Sequence, residues 1–324
     1  MAERRSPLLR VADLVVTLAG TRVLDGVSLD VGPAEVVGVV GESGAGKTMF
    51  VRALSGTLER IGAETVSGSI VLDGKELIAA TEADWSVLRG RVMSVVPQAA
   101  QSSLDPLMRV GAQIEETVAC LDPGRDRKAR AAELVERVRL PSRVLVAYPH
   151  ELSGGMKQRV MVALALVGGP RLVLADEPTT ALDVTVQREV LDLLETLRRD
   201  DGMSLILISH DLEVVRDRCE AVCVMYGGMA VEIGPTERVL RDPAHPYTRA
   251  LVSAAPLSRT DPHAKLRTVG FSPERNGPSR VGCPYAERCA FAEARCSAIV
   301  PRLHTIEPEH DAACLRLEDG SLDK

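Results

Sequence analysis

The octapeptide GESGAGKT, Gly41 to Thr48, follows the apolar segment EVVGVV and precedes TMFVRAL, whose apolar residues have helical spacing. A glycine-rich loop ending in Lys-Thr between a strand and a helix is typical of a P-loop, because its glycines let backbone amides wrap phosphate groups. In such a loop Lys47 reaches the β- and γ-phosphates of a nucleotide, and the Thr48 hydroxyl ligates Mg²⁺. We assign nucleotide binding to the whole loop: Gly41, Glu42, Ser43, Gly44, Ala45, Gly46, Lys47 and Thr48.

Apolar segments of the same kind recur later in the chain, as RLVLAD at residues 171–176 and SLILISH at residues 204–210. Between them, residues 184–200 have the amphipathic spacing of a helix that ends near Gly202. Buried strands that alternate with helices indicate a parallel sheet covered on both faces. The earlier segments LLRVADLVVTL and GSIVLDGKELI are more typical of antiparallel strands with turns. We therefore predict an α/β fold with a β-rich N-terminal part.

Two changes of pattern divide the chain further. From about residue 85 to 169 the segments are mostly helical, with charged amphipathic stretches such as RKARAAELVERVRL, and this predicts an inserted helical subdomain. After Tyr247 the composition shifts to Pro, Arg and polar residues with little apolar periodicity. We place a boundary between residues 255 and 275, and predict two domains at residues 1–255 and 256–324.

Composition and charge narrow the class of protein. Aromatic residues make up 2% of the chain, so surfaces for stacking nucleic-acid bases are hard to build. The net charge of −6 gives no basic face for a phosphate backbone, and we expect no nucleic-acid partner. The N-terminal apolar stretch is interrupted by Arg10 and Asp13, which does not suit a signal peptide. No apolar run approaches the roughly 18 to 20 residues that span a bilayer, so we expect any membrane role to be peripheral.

The segment LVLADEP, Leu172 to Pro178, is an apolar strand that ends in two acids. Alone, such an ending is most often a solvated turn. Beside a P-loop, however, a strand that delivers a carboxylate suits a magnesium ligand, and we assign this role to Asp176. Glu177 is then placed to activate the attacking water as a general base.

The segment LSGGMKQR, Leu152 to Arg159, joins a serine and two glycines to a predicted helix. The first amides of a helix lack intrahelical partners, and the positive end of the helix dipole lies there, so such a start favours an anion. Ser153 also has the chemistry of an ordinary helix N-cap, and the two roles are compatible. Because the P-loop already holds one phosphate group, this second site raises the question of whose phosphate it binds.

Six motifs in order, GESGAGKT, VVPQ, LSGGMKQR, LVLADEP, TTALD and ISHDL, make residues 8 to 255 resemble an ATPase subunit of an ABC transporter. The resemblance implies the P-loop NTPase fold of ABC ATPases, with ATP and Mg²⁺ as cofactors. It also implies that Gln98 contacts Mg²⁺ and the lytic water, that Asp183 is the D-loop aspartate, and that His210 contacts the γ-phosphate. The family stacks adenine on an aromatic residue where this chain has Leu18, and we predict only a modest preference for ATP over GTP.

The same resemblance answers the question of the second phosphate site. In the family geometry LSGGMKQR faces the nucleotide of a second ATPase chain, either a paralogue or another copy. The resemblance therefore implies that one helix start caps ATP held on the partner's P-loop, through Ser153, Gly154, Gly155 and Gln158.

Four cysteines lie within the last 42 residues, with the spacing C-x5-C-x6-C-x17-C. Disulfides are disfavoured in the cytoplasm, so clustered thiols suggest a metal. The spacing is not the CxxC pair of a common zinc ribbon, and from the residues alone zinc and an iron–sulfur cluster both remain open.

HPYTRALVSAAP, His245 to Pro256, followed by these cysteines, resembles the C-terminal extension of oligopeptide and dipeptide importer ATPases. Some members bind a [4Fe-4S] cluster there. The resemblance implies cluster ligation, in preference to zinc, by four residues: Cys283, Cys289, Cys296 and Cys314.

This second resemblance implies a peptide importer with two transmembrane permease subunits and an indirectly coupled extracytoplasmic solute-binding protein. The chain itself would lie peripherally at the cytoplasmic face of the inner membrane. A soluble ABC ATPase, an importer of nickel chelates or other solutes, and an iron–sulfur redox protein with a vestigial nucleotide site are the alternatives. Intact Lys47, Asp176, Glu177 and His210 weigh against the last.

Overall fold

A computed structural model describes residues 6–98, 103–180, 182–255 and 281–322. The chain forms two compact units. The first unit comprises Met1–Ser6, Gly32–Glu35 and Ala80–Ile208. The second unit comprises Pro7–Val31, Val36–Ala79 and Ser209–Lys324.

The regular elements follow in chain order. The described strands are β1 Leu9–Leu18, β2 Thr21–Val31, β3 Val36–Val40, β4 Ala63–Leu72, β5 Lys75–Glu76, β6 Met93–Val96, β7 Leu172–Asp176, β8 Ser204–Ile208, β9 Ala221–Tyr226, β10 Met229–Pro235, β11 His304–Glu307 and β12 His310–Ala312. The described helices are α1 Lys47–Leu54, α2 Glu82–Leu88, α3 Val110–Leu121, α4 Arg127–Arg137, α5 Gly154–Ala165, α6 Val184–Asp201, α7 Leu212–Arg218, α8 Thr236–Arg241, α9 Pro246–Ala254 and α10 Leu315–Glu318. Among these residues, no helix is both long and apolar enough to cross a bilayer.

Strands β6, β7 and β8 of the first unit pair in parallel. All five residues of β7 and of β8 are buried, as expected for strands covered on both faces. Helix α6 follows β7 and buries one apolar stripe, which includes Val190, Leu194 and Leu197. It ends at Gly202, whose positive φ of 64° closes the last turn, so the predicted helix and its end are confirmed.

The predicted helical region of the first unit contains α3, α4 and α5. Ile114 and Val118 of α3, together with Leu134 of α4, are fully buried and give these helices an apolar interior. The range 85–169 also contains β6, which pairs with β7 and extends the parallel strands. The limits of the helical subdomain stay a prediction.

Two groups of strands build the second unit. Antiparallel pairing in the order β2-β1-β4-β5 forms one sheet, which confirms the antiparallel strands expected before and after the P-loop. In the other group β3 pairs in parallel with β9, and β10, β12 and β11 continue it with antiparallel pairing. The C-terminal hairpin, formed by β11 and β12, thus extends the strand group that contains β3, although residues 256–280, where a domain boundary was predicted, lie outside the described residues.

A buried carboxylate fixes helix α9 against the strands of the second unit. Glu232 of β10 is fully buried and accepts hydrogen bonds of 2.8 Å from the backbone amides of Ala244 and His245. The ring Nε2 of His310, on β12, lies 2.8 Å from the same carboxylate. These three hydrogen-bonding partners offset the desolvation cost of burying the Glu232 carboxylate. The start of α9 and the C-terminal hairpin are therefore held to one strand.

Candidate functional site

The P-loop of the second unit connects the fully buried strand β3 to helix α1. A Cβ at Gly41 would overlap the carbonyl oxygen of Met225, and Gly46 has a φ of 102°, so both positions require glycine. The N-cap of α1 is Gly46, which has no side chain to bond the first amides of the helix, and this suits an anion at that position. Lys47 is buried, and its Nζ donates to the carbonyl oxygens of Gly41 at 2.7 Å and Glu42 at 3.0 Å.

Side chains from the C-terminal part of the second unit hold Glu42 of this loop. Arg288 donates to both carboxylate oxygens, at 2.8 and 3.0 Å. The amide of Glu42 donates to the Tyr247 hydroxyl at 3.0 Å. Sequence reasoning missed both contacts. The residues His245, Pro246 and Tyr247, called here the HPY segment, gave a signal, because they begin the stretch that resembles a family motif, although no role was assigned to Tyr247.

In the first unit, Gln98 and Glu177 are in direct contact, although their catalytic roles stay predictions. Gln98 Nε2 donates to Glu177 Oε2 at 2.8 Å. The Thr180 hydroxyl donates to the same oxygen at 2.9 Å, a contact that the motifs did not indicate. Glu177 has a φ of 45°, which is uncommon outside glycine. A hydrogen bond from its amide to the Ile208 carbonyl oxygen holds this backbone conformation. Asp176 is buried at the end of β7, one residue before this strained position.

The LSGGMKQR segment begins α5 as predicted. Ser153 is the N-cap, and its hydroxyl accepts from the amide of Met156 at 3.3 Å. A Cβ at Gly155 would overlap Cγ1 of Val186 on α6, so this glycine allows two helices to approach closely. Gln158 is buried, and within the described residues its Nε2 has no hydrogen-bond partner.

Two further motif residues lie at helix starts. Asp183 caps α6, where its carboxylate accepts from the amides of Thr185 at 3.1 Å and Val186 at 3.0 Å. His210, in the second unit, is exposed and directly precedes Asp211, the N-cap of α7. The D-loop role of Asp183 and the γ-phosphate role of His210 stay predictions.

Leu18, where the resemblance expects an aromatic ring, is the last residue of β1. It is half-buried and lies opposite Thr21 of β2 and Ala63 of β4.

The four C-terminal cysteines all line one pocket of the second unit, whose empty volume, including space open to solvent, is about 360 Å³. Tyr285, Phe291 and His245 complete much of its wall. Burial raises the pKa of the Cys283 thiol to about 11 and also raises that of Cys289, which favours the protonated form of these two thiols at neutral pH.

Four thiols around one pocket are the donor set that iron–sulfur clusters and zinc use. Within the ranges that the structure describes, however, no group of three or more His, Cys, Asp or Glu side chains has the mutual geometry of a formed metal centre. The identity and number of the donors fit such a site, but the side chains as they lie would have to rearrange to bind a metal.

Comparison with known proteins places the chain in a family. The profile of the ABC transporter family matches residues 24–180, and that of the oligopeptide/dipeptide transporter C-terminal region matches residues 231–296. A protein of Sinorhizobium fredii named "Probable peptide ABC transporter ATP-binding protein y4tR" is 41% identical over 320 residues, covering 95% of both chains. The oligopeptide transport ATP-binding protein OppD of Mycobacterium tuberculosis is 38% identical over 322 residues, covering 97% of this chain and 52% of that one.

A solved dimeric ATP-binding cassette, bound to ADP and phosphate, shares the fold with a TM-score of 0.63. At 24% identity it covers 70% of this chain and 98% of its own. The protein is thus an ABC ATPase of the P-loop class. More narrowly, it belongs to the ABC transporter ATP-binding subunits whose C-terminal part is the oligopeptide/dipeptide transporter region.

That C-terminal region includes His245, Tyr247 and Arg288. It also includes Cys283, Cys289 and Cys296, while Cys314 lies beyond its matched residues.

Proposed function

We propose that this chain hydrolyses ATP to drive import of di- or oligopeptides, as a peripheral subunit at the cytoplasmic face of the inner membrane. The observation that carries the proposal is the presence, in one chain, of an ABC cassette and the oligopeptide/dipeptide transporter C-terminal region. Two transmembrane permease subunits would form the pathway, and an extracytoplasmic solute-binding protein would select the solute. The peptide-transporter names of the 38–41% identical relatives support this choice over a soluble ABC ATPase.

The residue roles follow from the chemistry of each group. The P-loop amides and Lys47 would bind the phosphates, and Thr48, Gln98 and Asp176 would hold Mg²⁺, which would supply positive charge to offset the negative charge of phosphoryl transfer. Glu177 accepts a proton from the attacking water. The bond from Gln98 to Glu177 supports this assignment, because it places an amide beside the carboxylate that must orient the water.

The remaining motif residues act on the γ-phosphate. We assign His210 to this phosphate on the chain's own P-loop. Ser153, Gly154 and Gly155, with Gln158 behind them, are assigned to the nucleotide bound by a second ATPase chain. The exposed Ser153 at the start of α5 supports this role, since that helix end is free to face another subunit. ATP would then join two chains, and its hydrolysis would release them.

The test uses the intact transporter purified from membranes. A photoreactive residue at position 153 should cross-link to the P-loop of the facing ATPase chain when Glu177→Gln traps ATP. Without nucleotide the cross-link should be lost. The matched control carries the photoreactive residue at Glu136, an exposed position of α4, and should give no P-loop cross-link. Failure of the chain to co-purify with membrane subunits would contradict the importer role, and an ATP-independent cross-link would contradict the shared site.

We further propose that the four-cysteine pocket holds a [4Fe-4S] cluster. Such a cluster would bind the thiolates and so reverse the preference for protonated thiols that burial imposes. Anaerobically purified protein should contain about four irons per chain, a number set by the cluster itself. Cys289→Ser should lose iron, whereas Cys120→Ser, at the exposed cysteine of α3, should retain it. Zinc without iron in the anaerobic protein would refute the proposal.

A further inference from the structure

The P-loop residue Glu42 is held through both its side chain and its backbone. Its carboxylate accepts two hydrogen bonds from the Arg288 guanidinium, at 2.8 and 3.0 Å. Its amide donates to the Tyr247 hydroxyl at 3.0 Å. Both partners are more than 200 positions away, at sequence separations of 246 and 205. All three residues belong to the second unit.

The side chain of Arg288 is itself fixed in place. It is 11% exposed, and its guanidinium carbon lies over the rings of Tyr226, at 5.6 Å, and Tyr285, at 5.7 Å. It also donates to the Tyr226 hydroxyl at 3.1 Å. The planar guanidinium makes two parallel hydrogen bonds to the carboxylate, and this geometry is specific. The ammonium group of a lysine would not reproduce it.

Three tyrosines support this arrangement as one cluster. The ring centroids of Tyr226 and Tyr247 are 4.5 Å apart, and Tyr285 lies 5.2 Å and 5.4 Å from them. Since the chain contains only four tyrosines, the presence of three in this cluster is a specific feature of this part of the molecule. Tyr247 is fully buried, and the fixed start of α9 sets the position of its hydroxyl. The cluster is therefore a preorganised support for one residue of the P-loop.

Glu42 occupies a position where both its charge and its peptide group matter to a nucleotide. A carboxylate on the loop that receives a polyphosphate repels it, because like charges separated by less than a Debye length, about 8 Å at physiological ionic strength, are only partly screened. Pairing with Arg288 neutralises that charge. In addition, the carbonyls of Gly41 and Glu42 accept the two hydrogen bonds from Lys47, so the orientation of these peptide groups sets where the lysine lies.

We propose that Arg288 and Tyr247 are positioning residues of the nucleotide site, so that the C-terminal region sets how tightly the P-loop binds phosphate. The proposal deepens the ATPase function proposed above and rests on it. Arg288 acts by neutralising and orienting the Glu42 carboxylate. Tyr247 acts by holding the Glu42 amide, and with it the carbonyl groups that contact Lys47.

The test measures Mg-ADP binding to the full chain by calorimetry, since ADP contacts the P-loop and is not hydrolysed. Arg288→Met should raise the dissociation constant by roughly 5- to 30-fold, a usual range for coupling between groups. Arg288→Lys keeps the charge but not the two parallel hydrogen bonds. Its ADP dissociation constant should lie between those of wild type and Arg288→Met. The matched control is Arg295→Met, because Arg295 is in the same C-terminal region but pairs with Glu293 at 2.9 Å. It should bind ADP as wild type does.

A double-mutant cycle separates this role from a general contribution to folding. When Glu42→Gln has already removed the carboxylate, Arg288→Met should change the ADP dissociation constant by less than about twofold. Tyr247→Phe keeps the buried ring and removes only the hydroxyl, and it should weaken ADP binding in either background.

The outcomes are distinct. Equal losses from Arg288→Met with and without Glu42→Gln would overturn the proposal, because the arginine would then act through the stability of the C-terminal region. Unchanged ADP affinity in Arg288→Met, Arg288→Lys and Tyr247→Phe, with normal binding by wild type, would overturn it while leaving the ATPase function intact. Absence of ADP binding to wild type and to Arg295→Met would overturn both. If Arg288→Met does not fold, the comparison of Arg288→Lys with Glu42→Gln/Arg288→Lys decides in the same way.

Discussion

Gln98 and Glu177, 79 positions apart in the chain, are joined by a hydrogen bond of 2.8 Å from Nε2 to Oε2. The same carboxylate oxygen accepts from the Thr180 hydroxyl at 2.9 Å. These two bonds use both lone pairs of this oxygen, so it has none left to accept a hydrogen bond from the attacking water. We infer that Gln98 must leave this bond, or share it with water and Mg²⁺, before Glu177 can act.

Glu177→Gln is the first prediction that follows. The amide keeps the size of the side chain but cannot accept a proton, so the ATPase rate should fall by about 10²- to 10⁴-fold. ATP binding should persist, because the phosphates contact the P-loop. Phosphate release and nucleotide retention, measured on the assembled transporter, provide the two readouts. Glu136→Gln on α4 is the control and should retain the wild-type rate; equal losses in both variants would contradict the role of Glu177 as base.

The strands and motifs were predictable because a few consecutive residues determine each of them. The five-residue strands β3, β7 and β8 each contain four aliphatic residues, and Ser153, Asp183 and Gly202 mark helix ends by their own chemistry. Periodicity did not predict β11 and β12, which are four and three residues long, because an alternating pattern needs more positions to show.

The contacts around the P-loop were not predictable for a different reason. Arg288 lies in a segment that the cysteines dominate, and its neighbours in sequence give no sign that its partner is Glu42, 246 positions earlier. The position of Arg288 relative to Glu42 depends on how β10, α9 and the C-terminal hairpin are joined. The buried Glu232 joins them through its hydrogen bonds. Local sequence patterns carry no information about a contact of this range.

The second prediction concerns pH and the first residue of the HPY segment. His245 is almost fully buried, and its Nδ1 accepts from the amide of Tyr247 at 3.1 Å. Burial lowers the pKa of His245 from 6.5 to about 4, against an opposing effect of Glu232. Between pH 6.5 and about 4, His245 is therefore protonated in the unfolded chain but neutral in the folded chain. The contribution to stability is complete above pH 6.5 and is lost as the pH falls toward 4.

Chemical denaturation at a series of pH values checks this linkage. Between pH 6.5 and 4 the free energy of unfolding of wild type should fall more steeply than that of His245→Asn, by up to about 3 kcal/mol. Asn is the suitable variant because it can still cap the start of α9 but does not titrate. Parallel curves for the two proteins would show that His245 is not the group responsible.

The third prediction separates packing from phosphate binding at Gly155. An added Cβ would overlap Val186 Cγ1, so Gly155→Ala should destabilise the protein by about 1–3 kcal/mol through overpacking of α5 against α6. Adding Val186→Ala should restore most of that loss, which denaturation of the two variants would measure. If the double variant regains stability but the assembled transporter does not regain ATPase activity, the glycine has a second role at the nucleotide. Failure of Val186→Ala to restore stability would contradict the packing explanation.

The last prediction concerns the base of the nucleotide. Leu18 ends β1 without an aromatic ring, and a leucine side chain offers dispersion contact to a purine but no π-face on which it can stack. Wild type should therefore prefer ATP over GTP only modestly in a competition assay. Leu18→Tyr should strengthen ATP binding by roughly 5-fold or more, since stacking on one base contributes about 1–3 kcal/mol. Val66→Tyr, at an exposed position of β4, is the matched control and should not alter binding. A strong preference of wild type for ATP would mean that another group recognises adenine, and Leu18→Tyr should then add little.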